Sequence, residues 1–241
     1  MNILITGATS GIGYGLTLEY LKKGNKVIAI GRNTSKLEEL KSMGADTVEL
    51  DISDLTSVRE KFKHIEIPFI DIAILNAGVC EYVDVSDFDA ELVKRVVDIN
   101  LLGMANTIEA VLPLIRKSEI RHIVGIASLA GYLPLPRAQA YGASKAATDY
   151  LLESLAIDLK SERIQVSVVN PGFVKTPLTA KNDFPMPFYL DTDVAVRRII
   201  KGIEKKSAEI HFPYRLSLIM KFLRLLPRSW WRLIARLFTR K

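Results

Sequence analysis

Cysteine is almost absent from this chain: one of 241 residues, Cys80. No intrachain disulfide can form, so the fold rests on its own core, and a reducing, cytoplasmic setting fits. Histidine is scarce too. His64, His122 and His211 stand far apart and show no ligand spacing with Cys80, so no metal site is expected. The longest apolar run, residues 123–136, is broken by Ser128, glycines and prolines and is too short to span a bilayer. No secretory leader is expected, because Met1-Asn2-Ile3-Leu4-Ile5 runs straight into a glycine-rich turn at Gly7. Acidic residues are missing from one segment: residues 215–241 hold eight of the 33 basic residues and none of the 27 acidic ones, so the remaining body carries a net charge of −2. A nucleic-acid-binding domain carries its basic patch on the folded body, so no nucleic-acid partner is expected.

What is present is ordinary globular material, 49% hydrophobic and 25% charged, which excludes a disordered or collagen-like chain. A single domain of this length buries a full core unaided. Short β-branched runs at 3–6, 26–30, 47–50, 71–75, 122–127, 165–170 and 209–212 read as strands. Helical periodicity covers 12–23, 34–42, 55–63, 90–100, 103–116, 138–160 and 193–205. That alternation predicts an α/β fold, a doubly wound parallel sheet of the Rossmann type in three α/β/α layers, with its ligand at the carboxyl ends of the strands. One domain is expected over 1–214, followed by a basic amphipathic extension over 215–241.

The first strand runs into Thr6-Gly7-Ala8-Thr9-Ser10-Gly11-Ile12-Gly13. Glycine allows a tight turn and a close backbone approach to a pyrophosphate at a helix N-terminus. The spacing differs from G-x-G-x-x-G, but its place between first strand and first helix predicts nucleotide binding. The second strand ends Ile30-Gly31-Arg32-Asn33. The acid that would hold an NAD ribose hydroxyl is absent, and Arg32 suits a 2′-phosphate, so NADPH/NADP+ is expected over NAD. Tyr141 and Lys145 stand at i and i+4 on one helical face. Ser128 follows the fifth strand. Asn100 sits among Ile99, Leu101 and Leu102, where a polar side chain needs a buried partner.

Together with Asp51, Asn76-Ala77-Gly78 and Pro171-Gly172, these motifs make residues 1–212 resemble a classical short-chain dehydrogenase/reductase. The resemblance implies that Tyr141 is the general acid and that Lys145 lowers its pKa and bonds the nicotinamide ribose. It implies that Ser128 orients the substrate oxygen and that Asn100 holds a water in a proton relay. The cofactor would lie along Gly7, Thr9, Ser10, Gly11, Ile12 and Gly13. Arg32 and Asn33 would lie at its 2′-phosphate end, Asp51 and Ile52 at adenine and Asn76 and Gly78 at the adenosine ribose. Pro171, Gly172, Val174 and Thr176 would lie at the nicotinamide. A homodimer or homotetramer is implied as well.

Residues 178–190, with Phe184, Met186, Phe188 and Leu190, read either as an apolar substrate lid or as packing on the body, and an apolar pocket takes an apolar carbonyl substrate. Cys80 reads as an ordinary buried cysteine. In the tail, Ser229 reads as a helix N-cap. Trp230, Trp231, Leu233, Ile234, Leu237 and Phe238 fall at helical spacing, Arg232, Arg236 and Arg240 fall on another face, and Pro227 separates this helix from 216–226. Contact with a membrane surface and docking on a subunit or on the chain's own body are both compatible with that pattern. The expected function is an NADPH-dependent reductase of a hydrophobic ketone or aldehyde. The alternative is a non-catalytic NADPH-binding sensor or scaffold.

Overall fold

Every strand pairs in parallel. In the computed structural model, which describes residues 1–237, the strands β1 (Asn2–Thr6), β2 (Lys26–Gly31), β3 (Asp46–Glu49), β4 (Ile72–Leu75), β5 (His122–Ile126), β6 (Gln165–Pro171) and β7 (Glu209–Phe212) form one sheet in the order 3-2-1-4-5-6-7. Of the residues assigned to the tail, Phe238, Arg240 and Lys241 lie outside the described residues.

Strand alternation separates two cores. Ile3 and Ile5 of β1 face one side, with Val27 and Ala29 of β2. They pack against Leu16 and Tyr20 of α1 (Gly11–Lys22), Leu40 of α2 (Thr34–Ser42) and Ile199 of α7 (Thr192–Glu204). Leu4, Ile28 and Ile30 face the other side. They pack with Val58 of α3 (Leu55–Lys63), Val111 of α5 (Gly103–Arg116) and Leu152 of α6 (Gln139–Asp158). This is the expected three-layer α/β/α fold. The strand order reverses between β1 and β4, so their carboxyl ends open a crevice there, where open α/β sheets bind ligands.

The expected break between residues 100 and 103 does not exist. α4 (Ala90–Val97) continues through one π-helical turn, Asp98–Leu102, into α5. The extra residue in that turn rotates Asn100 to full burial while Leu102 stays exposed. The combined run Ala90–Arg116 is long and apolar enough to cross a membrane, which the sequence reading had not anticipated. Met104, Val111 and Ile115 nonetheless pack in the second core.

The tail folds back on the body. α8 (Tyr214–Arg224) and α9 (Arg228–Leu237) cover the loop after β5 through a cluster of Leu129, Tyr132, Leu133, Met220 and Trp231. The Trp231 indole N–H donates to the Pro134 carbonyl at 2.9 Å. The expected Ser229 cap is not used. α9 starts at Arg228, and the Pro227 carbonyl accepts from the backbone N–H groups of Trp230 and Trp231 at 3.0 and 3.3 Å, which leaves Ser229 inside the first turn. The outward faces stay apolar: Leu218, Phe222, Leu225, Trp230 and Leu233 are exposed.

Leu16 has no exposed surface and ties α1 to the first core. Leu16→Ala is expected to lower the unfolding free energy by about 2–5 kcal/mol, read from urea denaturation followed by circular dichroism. An unchanged midpoint and slope would contradict this packing.

Candidate active site

The glycine turn connects β1 to α1 in a geometry that larger residues cannot adopt. Gly7 and Gly11 have φ of +65° and +51°. A Cβ on Gly13 would stand 2.2 Å from the Gly7 carbonyl oxygen and 2.4 Å from Asn76 Nδ2. Asn76 fastens the turn to the end of β4: its amide donates to the carbonyls of Thr6 and Gly7 at 3.1 and 3.2 Å, and its N–H bonds Thr6 Oγ1 at 3.0 Å. Ser10 makes no side-chain cap, and the first turn of α1 contains no acid. The positive end of α1 is thus open to an anion, and the residues fit a pyrophosphate.

Gly31 explains the missing acid. A Cβ there would meet Thr9 Cγ2 at 2.6 Å, so Thr9 occupies the space a carboxylate side chain would need. Arg32 Nη1 lies 3.2 Å from Asp51 Oδ2, which joins two residues that the sequence assigns to different parts of the cofactor. Burial acts to raise the Asp51 carboxyl, but hydrogen bonds from Ser53 and Arg32 outweigh it and hold the group below the usual carboxylate range. Asn33 does not present a free side chain. It caps α2 by accepting from the Lys36 N–H at 3.0 Å. Ile52 is buried in the second core, and a Cβ on Gly103 would lie 2.8 Å from it.

The four expected catalytic residues converge. Asn100 Oδ1 accepts from the Val79 N–H at 2.8 Å, and its amide donates to the Val79 carbonyl and to Ser144 Oγ, both at 2.9 Å. This is the buried partnership its sequence setting demands. Lys145 Nζ donates to the Ile126 carbonyl at 2.7 Å and lies 5.9 Å from the Tyr141 ring centre. A Cβ on Gly78 would fall 3.1 Å from Asn100 Oδ1 and 3.4 Å from Lys145 Nζ, so this glycine keeps open the space the two share. Ser128 lies two residues beyond β5 and caps a short 3-10 turn, Leu129–Gly131, accepting from the Ala130 N–H at 3.1 Å.

Burial governs both titratable groups of the Tyr141–Lys145 pair. Burial pushes the phenol up to about 12, the neighbouring Cys80 adds to the rise, and only the Ser128 hydrogen bond opposes it. Burial also pushes the Lys145 ammonium down to about 8. Two groups of opposite charge type, both taken out of water, each favour their neutral forms.

Val174 and Thr176 sit beyond β6. Val174 pairs with Leu190 in an isolated bridge, and the Lys175 N–H donates to the Leu190 carbonyl at 2.8 Å, closing the neck of the 178–190 loop. Thr176 stands opposite the turn, 3.1 Å from where a Gly11 Cβ would be. Pro171 ends β6, where its carbonyl faces the Ser128 hydroxyl at 3.4 Å, and the Gly172 N–H donates to the Phe212 carbonyl at 2.7 Å. Phe184 stacks edge-on against Tyr82 (5.7 Å) and Phe173 (6.0 Å). Tyr82 donates to Asn182 Oδ1 at 2.7 Å, and Arg137 pairs with Asp183 at 2.9 Å. Phe188 remains exposed.

Cys80 is not an ordinary core residue. It is half-buried and lies within electrostatic reach of Tyr141 and Lys145, and burial pushes its thiol up while a bond from Tyr82 acts against that. The sequence reading also missed Tyr82 and Ser144. Ser144 could have been found only as a polar residue inside the Tyr141–Lys145 turn; its pairing with Asn100 joins two different helices and has no sequence signal. Tyr82 carries no sequence signal, because its position depends on the loop after β4.

A dinucleotide cradle at the switch point of a doubly wound sheet, with a Ser128-Tyr141-Lys145 cluster at its rim, defines an oxidoreductase-type site. The family profile described as short chain dehydrogenase matches residues 1–185. An uncharacterized oxidoreductase of Myxococcus xanthus is 36% identical over 97% of this chain and 95% of its own length. A short chain dehydrogenase of Burkholderia cenocepacia, solved with NADP, superposes with a TM-score of 0.84 at 24% identity, covering 97% of this chain and 96% of its own. A relative of Burkholderia phymatum solved with NAD gives 0.81 at 22% identity, covering 91% of each chain. The chain belongs to the short-chain dehydrogenase/reductase family, an oxidoreductase family whose fold binds nicotinamide cofactors.

Gly131 presses the Ser128 turn onto α6: a Cβ there would lie 2.8 Å from the Ala146 backbone N and 2.9 Å from the Lys145 carbonyl carbon. Gly131→Ala is expected to lower kcat about tenfold or more, since small misplacements of reacting groups are costly, with the Kd for the nicotinamide cofactor nearly unchanged. Loss of cofactor affinity with kcat intact would contradict this assignment.

Proposed function

We infer that the protein is an NADPH-dependent reductase of an apolar ketone or aldehyde. The observation that carries this reading is the convergence of Ser128, Tyr141 and Lys145 beside the glycine turn. The chemistry a bound nicotinamide supplies is hydride delivery to the carbonyl carbon. Ser128 donates to the carbonyl oxygen and orients it. Tyr141 then gives its phenolic proton to that oxygen as the alcohol forms. The phenol is protonated across the physiological range, as a proton donor has to be. The Lys145 ammonium stabilises the phenolate left behind, and Asn100 holds the buried framework from which that proton is restored. Arg32 favours a cofactor with a 2′-phosphate, exchanging its exposed Asp51 contact for a bidentate phosphate pair.

Tyr141→Phe is expected to lower kcat by about 10²–10⁴-fold while the Kd for NADPH stays put, and near-normal turnover would overturn the mechanism. Arg32→Ala is expected to raise the KM for NADPH about tenfold or more, the loss of a charge-assisted bond, and to leave the KM for NADH unchanged. Equal effects on both cofactors would remove the argument for NADPH. The pH dependence has a definite sign. Lys145 is charged below about 8 and neutral above it, so kcat/KM for reduction is level at lower pH and falls as pH rises through that value. A rate that climbs through the same range would assign the group another role.

A further inference from the structure

A cavity of about 1260 Å³ opens beside the catalytic segment. One wall is the 132–139 stretch that links Ser128 to Tyr141. The opposite wall is α9. Tyr82 also lines the cavity and stacks on Phe184 of the 178–190 loop, so the space lies between that loop and the segment that joins Ser128 to Tyr141. Its lining is of two kinds. Val83, Leu133, Leu226 and Trp231 are apolar, while Arg224, Arg228, Arg232 and Arg236 form a row at four-residue intervals. Arg224 ends α8, while Arg228 and Arg232 stand one turn apart on α9, where like charges repel. Among the described residues, Arg224, Arg228 and Arg232 have no carboxylate partner. The two acids that line the cavity are engaged: Asp183 by Arg137, and Asp84 by the N–H and hydroxyl of Ser86.

We propose that this cavity binds an amphiphilic carbonyl substrate carrying a phosphate monoester, its apolar chain against Trp231 and Leu133 and its phosphate on the Arg224–Arg228–Arg232 row. The proposal rests on the reductase reading and names its substrate class. A neutral hydrophobe leaves the row of guanidinium groups unused, and inorganic phosphate leaves the apolar wall wet. A single molecule with both parts satisfies both. Guanidinium groups one turn apart can converge on one phosphate, which accepts several charge-assisted bonds.

Both tryptophans of the chain lie on α9, and only Trp231 lines the cavity. In a Trp230→Phe background Trp231 becomes the only indole reporter. Dodecyl phosphate below its micellar concentration is expected to change the Trp231 emission saturably. It should bind about tenfold or more tighter than dodecanol or inorganic phosphate, as charged hydrogen bonds imply, and compete with a fatty aldehyde during NADPH oxidation. Arg228→Gln with Arg232→Gln should reduce dodecyl phosphate binding to the dodecanol level. Arg224→Gln on α8 gives a partial loss and serves if the double variant fails to fold. Equal binding of dodecyl phosphate and dodecanol overturns the proposal. So does inhibition that does not compete with the aldehyde, or an emission change seen only with phosphatidic acid vesicles, which would assign the arginines to a bilayer surface. The fluorescence measurement needs no turnover. A failure of the reductase reading, seen as no NADPH oxidation with any carbonyl, is therefore distinguished from unselective binding.

Discussion

One buried amide holds the active site in register. Asn100 joins the loop after β4, through both backbone groups of Val79, to α6, through Ser144. It can do so because the π-helical turn brings it inward from the long helix 90–116. Without that link the catalytic helix and the cofactor edge of the sheet would be positioned only by apolar packing, which is strong but not directional. A polar group with no exposure and every hydrogen bond made is costly to misplace, so it fixes one arrangement rather than several. The distances among Tyr141, Lys145 and Gly78 follow from it.

The sheet was legible because strands buried on both faces appear as continuous apolar runs, and each of the seven expected strands is present within a residue or two. That Asn100, Ser128, Tyr141 and Lys145 come together was legible because their spacing is local or motif-bound. What could not be seen were effects of burial and of distant loops. The Tyr141 pKa moves upward because its surroundings exclude water, which no spacing encodes. Asn33 serves a cap and Ile52 serves the core, and a motif does not distinguish such duties from ligand contact. The π-helical turn was hidden because its residues have ordinary helical periodicity on both sides. The absent acid at position 31 was visible, but its cause, the contact with Thr9, was not.

The tail shows how an amphipathic pattern can serve two surfaces. Trp231 and Met220 seat α9 and α8 on the loop that follows Ser128, while the arginines border the cavity and the remaining apolar side chains point outward. Covering that loop ties the C-terminal segment to the candidate site. The 3-10 turn after Ser128 packs against α6 on one side and the tail helices on the other. A change in the tail therefore reaches the site by direct contact.

The neck formed by Val174 and Leu190 has an evolutionary consequence. Because the two ends of the 178–190 excursion are hydrogen-bonded to each other, its length is uncoupled from the sheet and from α7. Residues can be gained or lost at its tip at an entropic cost that grows only with the logarithm of loop size. A change of length in this one excursion can therefore reshape the space beside the site while leaving the Ser128, Tyr141 and Lys145 cluster in place.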